Sequence, residues 1–335
     1  MNSRRRQVQT VVLLATGGTI ATRTGPDGKA VADAAGAELL AGLPLPRDVR
    51  VEVDDVFRVG SYLMSLERLH ELALRAQQHL RSPEVAGLVV THGTDTAEET
   101  ALFMDLVLDD PRPVVVTGAQ RPPGALASDS PRNLSDAIAV AACTSCRGLG
   151  TTVVFDGSVF AARGTRKSHT LALGTFAAPD SGPLGWVYEG NVRIEARPRS
   201  RPGLDLSVLD LSGVRVDIAA CYPGADATAL RAFAAAGARG IVLEATGAGN
   251  ANPPICEAVA DLTGAGIVVA TSTRVNAGTV AAIYGNGGGA DLLEAGAVPV
   301  GLLRPPQARI LLAALLGTYE DPQAVREALA AYTTG

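Results

Sequence analysis

Two short stretches of this chain set glycine and hydroxyls at the point where a strand should end, one of them with acids. Residues 91–100 read THGTDTAEET and follow the apolar run GLVV, while residues 11–20 read VVLLATGGTI. Glycine lets a backbone turn tightly and approach a ligand closely. Threonine at such a turn offers an exposed hydroxyl, and neighbouring N–H groups can hold an oxyanion. A hydroxyl nucleophile needs a base or a positioned proton chain. By residue type the candidates are His92, His169 and Lys167, the last if burial favours its neutral form. Neither histidine sits in a Ser/His/Asp pattern such as GxSxG. A blander explanation is capping: Thr94 to Thr96 or Asp95, with Glu98 three residues on, would start a helix at Ala97. For Glu98 and Glu99 that is the reading adopted, since both suit the positive end of the helix dipole. Capping does not explain why two strand ends both carry glycine before threonine. Glycine turns also cradle phosphates, but GGTIA is not GxGxxG and no GxxxxGK[ST] occurs.

The elements that must position these residues alternate. Strand-like runs at 11–15, 86–90, 113–118 and 151–155 are separated by helix-like runs at 63–80, 97–108 and 128–143. This is the βαβ signature of a doubly wound parallel sheet. Residues 196–212, rich in Pro, Gly and Arg, break the pattern and read as a linker. Alternation resumes in a smaller α/β unit, with strands at 214–222, 239–245 and 266–273 and helices at 227–238, 253–266 and 323–332. The expected division is a domain over 1–195, the linker 196–212, and a domain over 213–335. In open parallel sheets ligands bind beyond the carboxyl ends of the strands. TGGT, THGT, TGAQ, TGAGN and TSTR all follow strands there.

Composition narrows the classes. The chain has 335 residues, 47% apolar and 19% charged, with a net charge of -5. Two domains with sizeable cores follow, and a nucleic-acid surface does not. No run of about 18 apolar residues predicts a membrane span. The run Val11–Ala15 is too short for a secretory h-region, so a cytoplasmic protein is expected. The four cysteines form no disulfide framework; Cys143 and Cys146 read as incidental residues of one helix, with no partners to complete a zinc site.

ATGGTI at 15–20 and THGTDTAEET at 91–100 resemble the two signature motifs of bacterial-type L-asparaginases, in the asparaginase/glutaminase family. VGS at 59–61, GAQRPPGALASDSPRNLSDA at 118–137, RKSHT at 166–170, GPLGWV at 182–187, GAGNAN at 247–252, TSTRVNAG at 271–278 and PPQARILL at 305–312 follow in the family's order. The resemblance spans nearly the whole chain. It implies an amidohydrolase that releases ammonia from asparagine, with activity on glutamine as an alternative. It implies an α/β fold, with a larger N-terminal flavodoxin-like domain and a smaller C-terminal α/β domain. It further implies a homotetramer of intimate dimers, no metal and no organic cofactor. Thr19 matches the nucleophile, Thr94 the second catalytic threonine and Lys167 its lysine partner. Asp95 matches the residue that binds the substrate's amino group, and Ser61 the one that holds its carboxylate. Gly18 and Gly93 shape the turns, N–H groups near Thr94 and Ala119 serve the oxyanion, and Asn252 comes from a neighbouring subunit.

Two departures stand out. The family's loop tyrosine is missing from residues 22–39, where the segment GPDG could still form a lid and Thr22, Thr24 or water could handle the proton. The glutamate that several members carry after Arg274 is also missing, and Tyr284 stands near its place. Tyr284 is therefore a candidate to enter a neighbouring site. Competing readings are a glutaminase-asparaginase and a catalytically weak amino-acid-binding homologue. A third, the ammonia-supplying subunit of transfer-RNA amidation, would carry an extra N-terminal domain, whereas the first strand here starts near residue 10.

Overall fold

The computed structural model describes residues 8–24, 30–46, 48–199 and 203–333. The chain divides into two compact units between Gly203 and Leu204. In the first unit, strands β1 (Gln9–Gly17), β2 (Val49–Val59), β3 (Val85–Thr91), β4 (Val114–Thr117) and β5 (Thr151–Phe155) run parallel in the order β2-β1-β3-β4-β5. That is the flavodoxin order, and the crevice where it reverses lies between β1 and β3. Three antiparallel strands extend the sheet to eight: β6 (Ser158–Ala161), β8 (Gly185–Tyr188) and β9 (Asn191–Ile194). The short β7 (Arg166–Lys167) stands apart and pairs with Phe176–Ala177.

The inner strands are buried on both faces, which is why they read as continuous apolar runs. Helices α1 (Leu66–Leu80), α2 (Ala97–Val107) and α3 (Ser130–Ala142) lie between them in the chain. On α1 the buried residues Leu66, Leu69, Leu72, Ala73, Ala76 and Leu80 recur at helical spacing, and the Ser65 hydroxyl accepts from Arg68 N at 3.3 Å. The eleven-residue β2 was not among the expected strands. It is a sheet edge, half-exposed and interrupted by Arg50, Glu52, Asp54, Asp55 and Arg58, so charge masks its apolar alternation.

The second unit carries a four-stranded parallel sheet, β10 (Val216–Ala220), β11 (Gly240–Ala245), β12 (Val268–Thr273) and β13 (Val298–Pro299). Its helices are α4 (Thr228–Ala235), α5 (Pro253–Gly264), α6 (Gly289–Glu294), α7 (Pro305–Thr318) and α8 (Pro322–Thr333). Helix α7 went unread because it is apolar nearly all round; its buried run Ile310–Leu316 has no polar face to mark a period. The cysteine expectation is corrected in one respect. Helix α3 stops at Ala142, Cys143 caps it, and Cys146 ends a separate 3-10 turn. All four cysteines are free thiols. No helix among the described residues is long and apolar enough to cross a membrane.

Candidate active site

The carboxyl ends of β1, β2 and β3 meet through glycine. Gly17 and Gly18 have φ of 105° and 79°, a region that disfavours other residues. A Cβ on Gly18 would fall 2.3 Å from Gly93 N, and one on Gly93 would fall 2.5 Å from Ser61 Oγ. Only bare backbone lets the turns carrying Gly18, Gly93 and Ser61 close on one another. Thr19 then opens a single 3-10 turn, Thr19–Ala21, and is half-buried; its hydroxyl has no hydrogen-bond partner among the described residues. The Thr22 hydroxyl closes the turn by donating to Gly18 O at 2.9 Å. Thr22–Thr24 then pairs with Ala30–Ala32 in a hairpin, while GPDG and the Thr24 side chain lie outside the described residues.

After β3, Thr94 and Asp95 converge on Lys167. Lys167 Nζ donates to Thr94 Oγ1 at 2.8 Å and to Asp95 Oδ1 at 2.7 Å. The Lys167 side chain is 16% exposed, whereas that of Asp95 is 58% exposed and open to an incoming cation. Thr94 donates in turn to Gln120 Oε1 at 3.0 Å. The residues after β4 are tied by Asp129. Its carboxylate accepts from Gln120 N and Arg121 N, both at 2.9 Å, and from Asn133 Nδ2 at 3.0 Å. Ala119 is fully buried beside them. The backbone N–H groups of Thr94 and Ala119 have no partner among the described residues, so two donors are left for an oxyanion.

The capping explanation of this stretch is corrected. Thr96 is the N-cap of α2, but its side chain makes no cap bond; the hydroxyl donates to Ser61 O at 2.9 Å instead. Glu98 is buried, and its carboxylate accepts from the backbone N–H of Lys167. It anchors β7 rather than merely complementing the helix end. Burial pushes its pKa up to about 7, against the pull of that hydrogen bond.

His92 is not the base. It is wholly buried, with Nδ1 2.7 Å from Gly93 O and Nε2 2.9 Å from Thr100 Oγ1. A carbonyl only accepts, so Nδ1 carries the hydrogen and Nε2 accepts from Thr100. Desolvation lowers its pKa to about 4 and keeps it neutral. His169 Nδ1 is likewise occupied, accepting from Leu171 N at 3.0 Å and Ala172 N at 2.9 Å.

Asn252 and Tyr284 belong to the second unit. Asn252 caps α5: Oδ1 accepts from Ile255 N at 3.1 Å, and Nδ2 donates to Ala225 O at 2.7 Å. One amide hydrogen and one lone pair remain for another partner. Tyr284 is 60% exposed. Sequence reasoning missed Gln120, Asp129 and the role of Glu98. The signal for the first two was their place after a strand in GAQRPPGALASDSPRN, where polar side chains must bond the turn. A cleft of about 910 Å³ lies elsewhere, at the amino ends of β1 and β3 beside Arg112. Among the described residues no cluster of His, Cys, Asp and Glu could hold a metal ion.

Residues 10–200 match the family model for asparaginase, N-terminal, and residues 215–329 that for the glutaminase/asparaginase C-terminal domain. The chain belongs to the asparaginase family. Its relatives there include an L-asparaginase of Bacillus licheniformis, 35% identical and aligned over 93% of this chain and 96% of the relative. A glutaminase-asparaginase of Pseudomonas fluorescens biotype A is also 35% identical, over 82% of this chain and 78% of the relative. A crystal structure of a probable cytoplasmic L-asparaginase from Campylobacter jejuni superposes with a TM-score of 0.85 at 30% identity, covering 96% of this chain and 99% of that one. Family membership agrees with the expected fold class, an α/β chain with a larger, mostly parallel sheet and a smaller C-terminal α/β part.

Proposed function

We propose that this chain is an L-asparaginase that converts L-asparagine to L-aspartate and ammonia through an acyl-enzyme on Thr19. The observation that carries the reading is the contact of Lys167 with both Thr94 and Asp95 at the sheet's switch point, beside the Gly18–Gly93 closure that presents Thr19. Thr19 Oγ attacks the side-chain amide carbon, and its proton passes to the departing nitrogen. The free N–H groups of Thr94 and Ala119 hold the oxyanion. Water then attacks the ester, releasing aspartate and restoring the Thr19 hydroxyl. Thr94 and Lys167 serve proton movement in both halves. Asp95 receives the substrate's ammonium, exchanging Lys167 for it, and Ser61 receives the α-carboxylate.

The roles of Asn252 and Tyr284, a homotetramer with shared sites, a cytoplasmic location and domains over 1–195 and 213–335 joined by 196–212 complete the proposal. A dual glutaminase-asparaginase is favoured by one observation, the 35% identity to a relative of that name. One extra methylene is worth only about 1–3 kcal/mol of discrimination. The test is ammonia release from asparagine and glutamine side by side. Turnover of asparagine well above glutamine supports the asparaginase. Comparable rates support the dual enzyme, and no turnover with aspartate still bound replaces both by a binding protein.

A further inference from the structure

Among the described residues that hydrogen-bond the Thr94 side chain, Gln120 is the one that the mechanism above leaves without work. Its amide is pinned at both ends. Nε2 donates to Thr170 O at 3.2 Å and to Ala172 O at 3.1 Å, and Oε1 accepts from Thr94 Oγ1 at 3.0 Å. The orientation is forced by chemistry. A flipped amide would set its oxygen against two carbonyls, none of which can donate. The backbone on either side is equally fixed, because Gln120 N and Arg121 N both bond Asp129.

With the Thr94 hydrogen held on Gln120, the Thr94 oxygen can only accept from its other neighbours. One lone pair takes Lys167 Nζ at 2.8 Å. The other stays open to a second donor. In the reading above that donor is the Thr19 hydroxyl or the deacylating water, and an acceptor aimed at it aligns its oxygen for attack. A freely rotating Thr94 hydroxyl would spend part of its time pointing its own hydrogen into that position, and would then repel the nucleophile's hydrogen.

We propose that Gln120 is a positioning residue that makes Thr94 an obligate acceptor toward the nucleophile. This rests on Thr94 acting in the asparaginase reaction. It also gives the segment Thr170–Ala172, held to Gln120 by two carbonyls, a direct line to the reacting groups.

The test is a double-mutant cycle on ammonia release from asparagine. Gln120→Met keeps the length but removes the acceptor and both Nε2 donors; Gln120→Glu keeps carboxylate oxygens that can accept from Thr94 and loses only the two donors. Losing one hydrogen bond's worth of alignment predicts a fall in kcat of about tenfold for Q120M, with KM within about twofold. Q120E does not recover that loss, because its second carboxylate oxygen would face the carbonyls of Thr170 and Ala172 and the side chain leaves its seat. In a Thr94→Val background the Q120M change has no further effect, because its route runs through the Thr94 hydroxyl. A purely structural tether would instead lower the rate of both backgrounds alike and would overturn the proposal. Full kcat in Q120M with T94V inactive also overturns it, while leaving the asparaginase reading intact. Full activity of T94V itself overturns both.

Discussion

Thr94 is where the residue-scale chemistry concentrates, since it bonds Lys167 and Gln120 and adjoins Asp95. Thr19 is its opposite, a hydroxyl with no partner among the described residues. Thr19→Ala therefore removes a nucleophile and almost nothing else. Hydrolysis should fall by at least about a thousandfold with Tm changed by little, because no hydrogen bond of the fold is lost. Activity near that of the parent protein would refute the covalent step. Glu98 gives a second prediction, in pH. Its folded pKa of about 7 exceeds the ordinary value of 4.5, so between those values the native state binds more protons than the unfolded chain. Stability on this account is full below about 4.5 and is lost as pH rises through 7. Buried His92, with its pKa of about 4, has the opposite slope, losing stability as pH falls from 6.5. Glu98→Gln isolates the first contribution: the difference in Tm between variant and parent should grow in the variant's favour from pH 5 to pH 8. A constant difference would mean that Glu98 is ionised throughout.

At the scale of elements, the site exists because three strand ends close without side chains. Gly18→Ala puts a methyl 2.3 Å from Gly93 N, at a φ of 79° that alanine rarely adopts. The turn must open, and the backbone segments carrying Thr19 and Thr94 must separate. The expected outcome is loss of more than about 2 kcal/mol in urea unfolding, by strain and displaced backbone together, and no measurable ammonia release. Parent-like stability would show that the turn has room to relax. Much of this scale was legible in the sequence. The inner strands announced themselves as apolar runs, and the paired glycine-threonine turns marked their ends. What escaped did so for physical reasons. Strand β2 is an exposed edge whose charges hide its alternation, and α7 is buried all round and so has no period. Glu98 was misread because an acid near a helix start has a sufficient local explanation; its bond to Lys167 N lies 69 residues away and leaves no local trace. Gln120 and Asp129 escaped for the same reason, since a side chain's partner is set by the fold.

At the scale of the whole molecule, the proposed sharing of sites between subunits is testable at Asn252. The Asn252 amide already caps α5 and bonds Ala225 O, which is sufficient reason for its presence within its own unit. It retains one hydrogen for a ligand, so a cap and a shared-site residue are both compatible with its geometry. Subunit mixing separates them. Asn252→Ser keeps a capping oxygen while withdrawing the amide, and Thr19→Ala withdraws the nucleophile. If sites are shared between protomers, both variants are inactive alone. In a mixed pair the serine-bearing chain contributes Thr19 and its partner contributes Asn252, so one of two sites is whole. Random pairing then restores about a quarter of the parent activity, as half the pairs are mixed and each carries one working site. If Asn252 serves the site of its own chain, mixing restores nothing, whatever the oligomer measured by light scattering. If Asn252→Ser is active alone, the residue is a helix cap, and exposed Tyr284 becomes the residue to pair with Thr19→Ala in the same mixing experiment.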